Sequence, residues 1–150
     1  MTHADGTVVT ANNPAQPDEE IVIWAYGLGL TSPPAKTGQP SPSPAAPLSN
    51  PLYVQFDFRT NAMPSPPFFN RAAEIPWPTS VFAGLAPGQQ AGLYQINVRI
   101  PSSIPPVDSC LPFCSHVACS LYNVVQSNLM IRIGASFSWD GAAICVQPPQ

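Results

Sequence analysis

The sequence predicts an all-β fold: a sandwich of about six to eight short antiparallel strands. Three observations point there. Apolar and polar residues alternate with a period of two in three separate stretches, the mark of strands with one buried and one wet face. Gly, Pro, Asn and Asp clusters punctuate the intervals between them. Charged residues make up only 9% of the chain and Pro occurs 21 times. Helix surfaces are normally filled with Glu, Lys and Arg, so this composition opposes a helical fold.

Residues 81–101 carry the clearest unit. Tyr94, Ile96, Val98 and Ile100 fall on one side of an extended chain, and Gln95, Asn97 and Arg99 on the other. Ala86-Pro87-Gly88 supplies the preceding turn, and Pro101, with no N–H for a ladder, closes the strand. Val81-Phe82-Ala83 reads as a short partner strand, which leaves Gly84, Gly88 and Gly92 as turn glycines. Leu52, Val54, Phe56 and Phe58 alternate with Tyr53, Gln55, Asp57 and Arg59, and Leu129, Ile131 and Ile133 with Met130 and Arg132.

Residues 21–26 are apolar on both faces, as in a covered strand, and Trp24 is expected in the core. Gly6 to Thr10 forms a short β-rich run before a turn cluster at residues 12–18. Residues 31–51 hold seven prolines and read as a long surface connection that guards a sheet edge or links sheets. Residues 102–127 read as an irregular loop. Asp140-Gly141 is a tight-turn signal before the closing strand at residues 142–146.

The length of 150 residues suits one domain. Five cations, scattered singly, make no basic patch for nucleic acid. No apolar run approaches the ~20 residues of a membrane helix, and the first residues lack the pattern of a secretory signal. If the protein is secreted, that signal has been removed, or the chain is a fragment. Cys110, Cys114, Cys119 and Cys145 are not spaced like zinc or redox motifs. Two disulfides are the first expectation, with free buried thiols or a metal site that includes His116 as alternatives. Three pairings are open. Any bridge to Cys145 closes a loop of about 26 to 36 residues, worth about 3–4 kcal/mol in the chain-entropy model. Such bridges imply an oxidising compartment.

No nucleophile, base and acid stand in a compelling order. Cys114, two residues before His116, is better read as part of a structural disulfide than as a thiol nucleophile, and Asp18, Glu19 and Glu20 as a solvated turn rather than a calcium site with Asp57, Asp108 or Asp140. No cofactor is expected. Phe68, Phe69 and Trp77, in a Pro-rich irregular segment, are the candidates for an exposed interaction surface.

Ala83-Gly-Leu-Ala-Pro-Gly88 followed by Gly92-Leu-Tyr-Gln-Ile-Asn-Val98 and Ile100-Pro101 resembles the hallmark of the Solibacter-type uncharacterised C-terminal domain, repeated at the ends of large secreted acidobacterial proteins. His3 to Gly6, Asn13 to Ala15, Glu20 to Ile23, Ala25 to Gly29, Gly38 to Pro40 and Ser127 to Gly134 are similar too, so the resemblance spans nearly the whole chain. The departures are residues 60–78 and the cysteine-bearing residues 110–119. The resemblance implies an immunoglobulin-like antiparallel β-sandwich of about seven strands, extracellular or at the bacterial cell surface, with no activity or site residues to carry over. The expected function is a non-catalytic structural or adhesive module. It would contact protein partners or copies of itself, by sheet-edge pairing or strand exchange. The alternative is a carbohydrate-binding accessory domain using Phe68, Phe69 or Trp77.

Overall fold

Alternation of apolar and polar side chains becomes alternation of burial. In the computed structural model, which describes residues 1–57, 80–104, 125–138 and 142–147, Tyr94, Ile96 and Val98 point inward while Gln95, Asn97 and Arg99 point out. Among the described residues there are eight strands and no helix. The strands are β1 (Thr2–His3), β2 (Glu20–Tyr26), β3 (Leu52–Asp57), β4 (Phe82–Leu85), β5 (Leu93–Arg99), β6 (Val125–Ile133), β7 (Ser136–Phe137) and β8 (Ala142–Val146).

They form two antiparallel sheets of four strands. The first has the order β1-β2-β5-β4. Its centre is the full-length pairing of β2 with β5, from Glu20 opposite Arg99 to Tyr26 opposite Leu93. The second is built on β6, whose residues 128–133 pair with β3. The same strand pairs with β8 through residues 125–129 and with β7 at Arg132 and Ile133. The overlap puts β7 and β8 together on the edge away from β3. The inward faces share one apolar cluster: Ile21 and Ile23 from β2, Ile96 and Val98 from β5, Leu52, Val54 and Phe56 from β3, Leu129 from β6, and Ile144 and Val146 from β8. Val54, Ile96, Val98 and Val146 have no exposed surface. Burying a side chain of this size is worth about 1.5–3 kcal/mol, so this cluster holds the two sheets together.

The Pro-rich segment guards an edge. Leu48 N donates to Ala83 O at 2.8 Å and Leu85 N to Ala46 O at 2.9 Å, so residues 46–48 lie as a ribbon against β4. Residues 30–32 cover that ribbon in turn, through Ser32 N to Pro47 O and Ser49 N to Leu30 O. At the opposite edge, Val8 bridges to Thr2 beside β1. Pro47 has no N–H, so the ribbon at residues 46–48 stays at one bridge to β4.

Several expectations are corrected. Gly84 is no turn glycine: it lies in β4 opposite Gln95, and its bare Cα lets the ribbon approach. The turn starts two residues later, with Gly88 and Gly92 at φ 67° and 104° as expected. In the β-rich run at residues 6–10 only Val8 makes a bridge, to Thr2 of β1, and β6 begins at Val125, inside the segment expected to be irregular as far as residue 127. Gln55, expected in water, is 3% exposed, and Met130 across from it 9%. Trp24, expected in the core, is 44% exposed. Its neighbours Ile23 and Ala25 take the inward side, and strand parity sends Trp24 out.

Candidate interaction surface

The solvent face of the first sheet holds the most exposed aromatic residues of the described chain. Glu20, Val22, Trp24 and Tyr26 occupy alternate positions of β2 and so share that face. Trp24 stands opposite Gln95 of β5, and Gln95 opposite Gly84 of β4, so the three form one row across three strands. A Cβ on Gly84 would lie 2.7 Å from Phe82 Cζ, which shows that the Phe82 ring folds over the glycine. The Gln95 amide therefore has an aromatic neighbour on each flank, Trp24 on one strand and Phe82 on the other.

Polar contacts fix this row. Trp24 Nε1–H donates to Thr2 Oγ1 at 3.3 Å, which sets the indole against β1. Gln95 Nε2 donates to Asn97 Oδ1 at 2.7 Å, and Asn97 Nδ2 donates to Glu20 Oε1 at 2.8 Å. Each amide nitrogen carries two N–H groups, so a donor on each and the Gln95 carbonyl remain for a ligand. Tyr26 is 73% exposed one step along the strand. Arg99, opposite Glu20, gives Nη1 to Asp18 O at 3.2 Å at the rim.

A second cluster ties down the amino-terminal segment. His3 Nδ1 meets Glu19 Oε1 at 2.5 Å and His3 Nε2 meets Asn13 O at 3.2 Å. Both partners are acceptors, so only the imidazolium, with two N–H groups, satisfies both. Burial pulls the His3 pKa down, but the Glu19 carboxylate, the Asn13 carbonyl and the nearby Asp5 charge outweigh it, and the pKa is raised. Asp5 accepts from Thr7 Oγ1 and Thr7 N, which lowers its own pKa.

The side chains of Glu19 and Glu20 do not converge. Glu19 turns to His3 and to Gln16 N, while Glu20 lies on the solvent face with Asn97. Adjacent strand positions face opposite ways. Among the described residues no three His, Cys, Asp or Glu side chains gather to hold a metal ion. Cys145 is half-buried on β8, where its carbonyl accepts from Ala15 N at 3.0 Å. Cys110, Cys114, Cys119, His116, Asp108, Asp140, Phe68, Phe69 and Trp77 lie outside the described residues. An open cleft of about 640 Å³ between residues 35–40 and 88–92 is lined by Gln39, Gln89, Gln90 and small residues, with no titratable group.

Sequence reasoning missed the Trp24 row. The available signal was chemical: one parity of residues 21–26 is purely aliphatic, and the other bears the indole N–H and phenol O–H that suit a wet surface. No family model, no curated protein and no solved structure matches this chain.

Proposed function

We propose that this protein is a non-catalytic adhesive module of an extracellular or cell-surface bacterial protein, and that it makes its contacts through the solvent face of the β1-β2-β5-β4 sheet. The observation that carries this reading is Trp24 at 44% and Tyr26 at 73% exposure, side by side on a sheet backed by the main core. Rigid aromatic side chains give contact area at little entropic cost, and exposed ones mark interaction surfaces. The face is favoured over the sheet edges expected from sequence. Residues 46–48 already occupy the β4 edge, and Val8 bridges beside β1. The block from Ala83 to Val98, which resembles the acidobacterial module, spans β4, its turn and β5. This supports an immunoglobulin-like, secreted setting, with cysteine bridges as part of it.

The test is retention of the purified protein on bacterial outer-surface material. The wild type is retained, and a Trp24→Ala/Tyr26→Ala variant with an unchanged melting curve washes off. Equal retention of both, or retention of neither, defeats the reading.

A further inference from the structure

We infer that the Trp24–Gln95–Phe82 row is a binding site for a neutral carbohydrate chain. The inference rests on the reading of that sheet face as the working surface. Two properties of the row select the ligand class. First, its apolar parts are flat rings and its polar parts are amides: Trp24 on β2 and the Phe82 ring on β4 flank Gln95 on β5, the strand between them, so the two rings stand on strands two spacings, about 10 Å, apart. A pyranose ring has the matching pattern, with C–H groups on its faces and hydroxyls around its edge. An aromatic ring takes the C–H face, and an amide, which both donates and accepts, takes a hydroxyl. Second, the row is electrically quiet. The Glu20 carboxylate already accepts from Asn97, and Arg99 sits at the rim with its guanidinium on a backbone carbonyl. Among the described residues of the row, an anionic chain or an acidic peptide would find no free cation, and a basic one only a single engaged carboxylate. A neutral polyol loses nothing there.

The site is also preorganised. The Trp24 Nε1–H bond to Thr2 Oγ1 holds the indole in place before any ligand arrives. The chain of bonds from Gln95 through Asn97 to Glu20 fixes the direction in which the Gln95 carbonyl looks. Side chains that are ordered beforehand do not add their entropy cost to binding. Tyr26, on the same face of the same strand, lies where the next sugar unit would extend the contact.

The experiment uses the whole chain labelled with 5-fluorotryptophan, whose fluorine spectrum has one resonance per Trp, with that of Trp24 assigned by its loss in Trp24→Phe. Laminarin, xyloglucan, galactomannan and mannan are titrated one at a time. The expected result is a saturable shift of the Trp24 resonance with at least one of them, and binding weakened about tenfold or more by Gln95→Ala at an unchanged melting temperature. No shift with any of the four overturns the inference, as does a shift that Gln95→Ala leaves intact. The two readings fail separately. If the polysaccharides do nothing while Trp24→Ala/Tyr26→Ala still abolishes retention on surface material, the face binds a ligand of another class and only the carbohydrate inference falls. If that variant is retained like the wild type, both fall.

Discussion

Replacing Gly84 with alanine puts a methyl group where the Pro-rich ribbon lies against β4. Its carbon would lie 2.8 Å from Pro47 Cα and 2.7 Å from Phe82 Cζ, and closer still to the Ala46 carbonyl oxygen. Two of these obstacles are backbone atoms, so a side-chain rotation cannot relieve the overlap. The φ of Gly84 is not in the left-handed region, so the cost is steric and not conformational. Relief requires the ribbon to lift from β4, which breaks Leu48 N to Ala83 O and Leu85 N to Ala46 O. At about 0.5–1.5 kcal/mol net for each bond, this is about 1–3 kcal/mol. Disturbing the small cluster of Ala46, Leu85 and Tyr94 beneath the ribbon adds about 1–2 kcal/mol, an overpacking cost. The expected loss is therefore about 2–5 kcal/mol, a large part of the ~5–15 kcal/mol typical of a domain. Urea unfolding measures the total. Native-state amide exchange locates it, with the Leu48 and Leu85 amides speeding up more than those of Ile23 and Ile96. A loss below about 0.5 kcal/mol, the size of an ordinary surface change, with both ribbon amides still protected, refutes the reasoning.

Two further perturbations test other parts of the structure. For His3, the folded pKa is raised above the ordinary value near 6.5, so its contribution is fully present below that value and is lost as pH rises through the folded pKa. His3→Gln should therefore cost about 1–2 kcal/mol at pH 5 and much less at pH 8.5, read as the difference in urea midpoints. A cost independent of pH removes the clamp. Gln55 Nε2 is buried and has no hydrogen-bond partner among the described residues. Gln55→Leu, which removes that unmet donor at similar volume, should stabilise by about 1 kcal/mol, seen as a higher melting temperature. A fall in melting temperature would show that the amide serves the fold.

What could be read in advance followed one physical fact: in an extended chain, burial has a period of two. Where one face of a strand is core and the other is water, the sequence carries that period in plain form. The faces of β5 and the inward residues of β3 and β6 were therefore evident from Ile96, Val54 and Leu129. Residues 21–26 carry no such contrast in hydrophobicity, so the sequence places Trp24 inward, yet its side of the strand is the open one. Gln55 failed for the opposite reason: its side of β3 is polar by residue type but is shielded from solvent in the fold. The pairings of β2 with β5 and of β3 with β6, and the ribbon lying against Gly84, depend on contacts between residues more than thirty positions apart. No local pattern records them. The candidate site was missed for the same reason, since Trp24, Phe82 and Gln95 become neighbours only through the register of three strands.

The covering of both lateral margins of the first sheet has a consequence for crowding. A bare outer strand invites the next molecule to continue the hydrogen-bond ladder, and at high local concentration that ends in cross-β aggregates. Here the ribbon at residues 46–48, itself backed by residues 30–32, occupies the Leu85 donor and the Ala83 acceptor on the edge of β4, with a segment that proline keeps from growing. Many copies of this sheet could stand close together on one surface, each turning its aromatic side outward, without stitching into a common sheet along that margin.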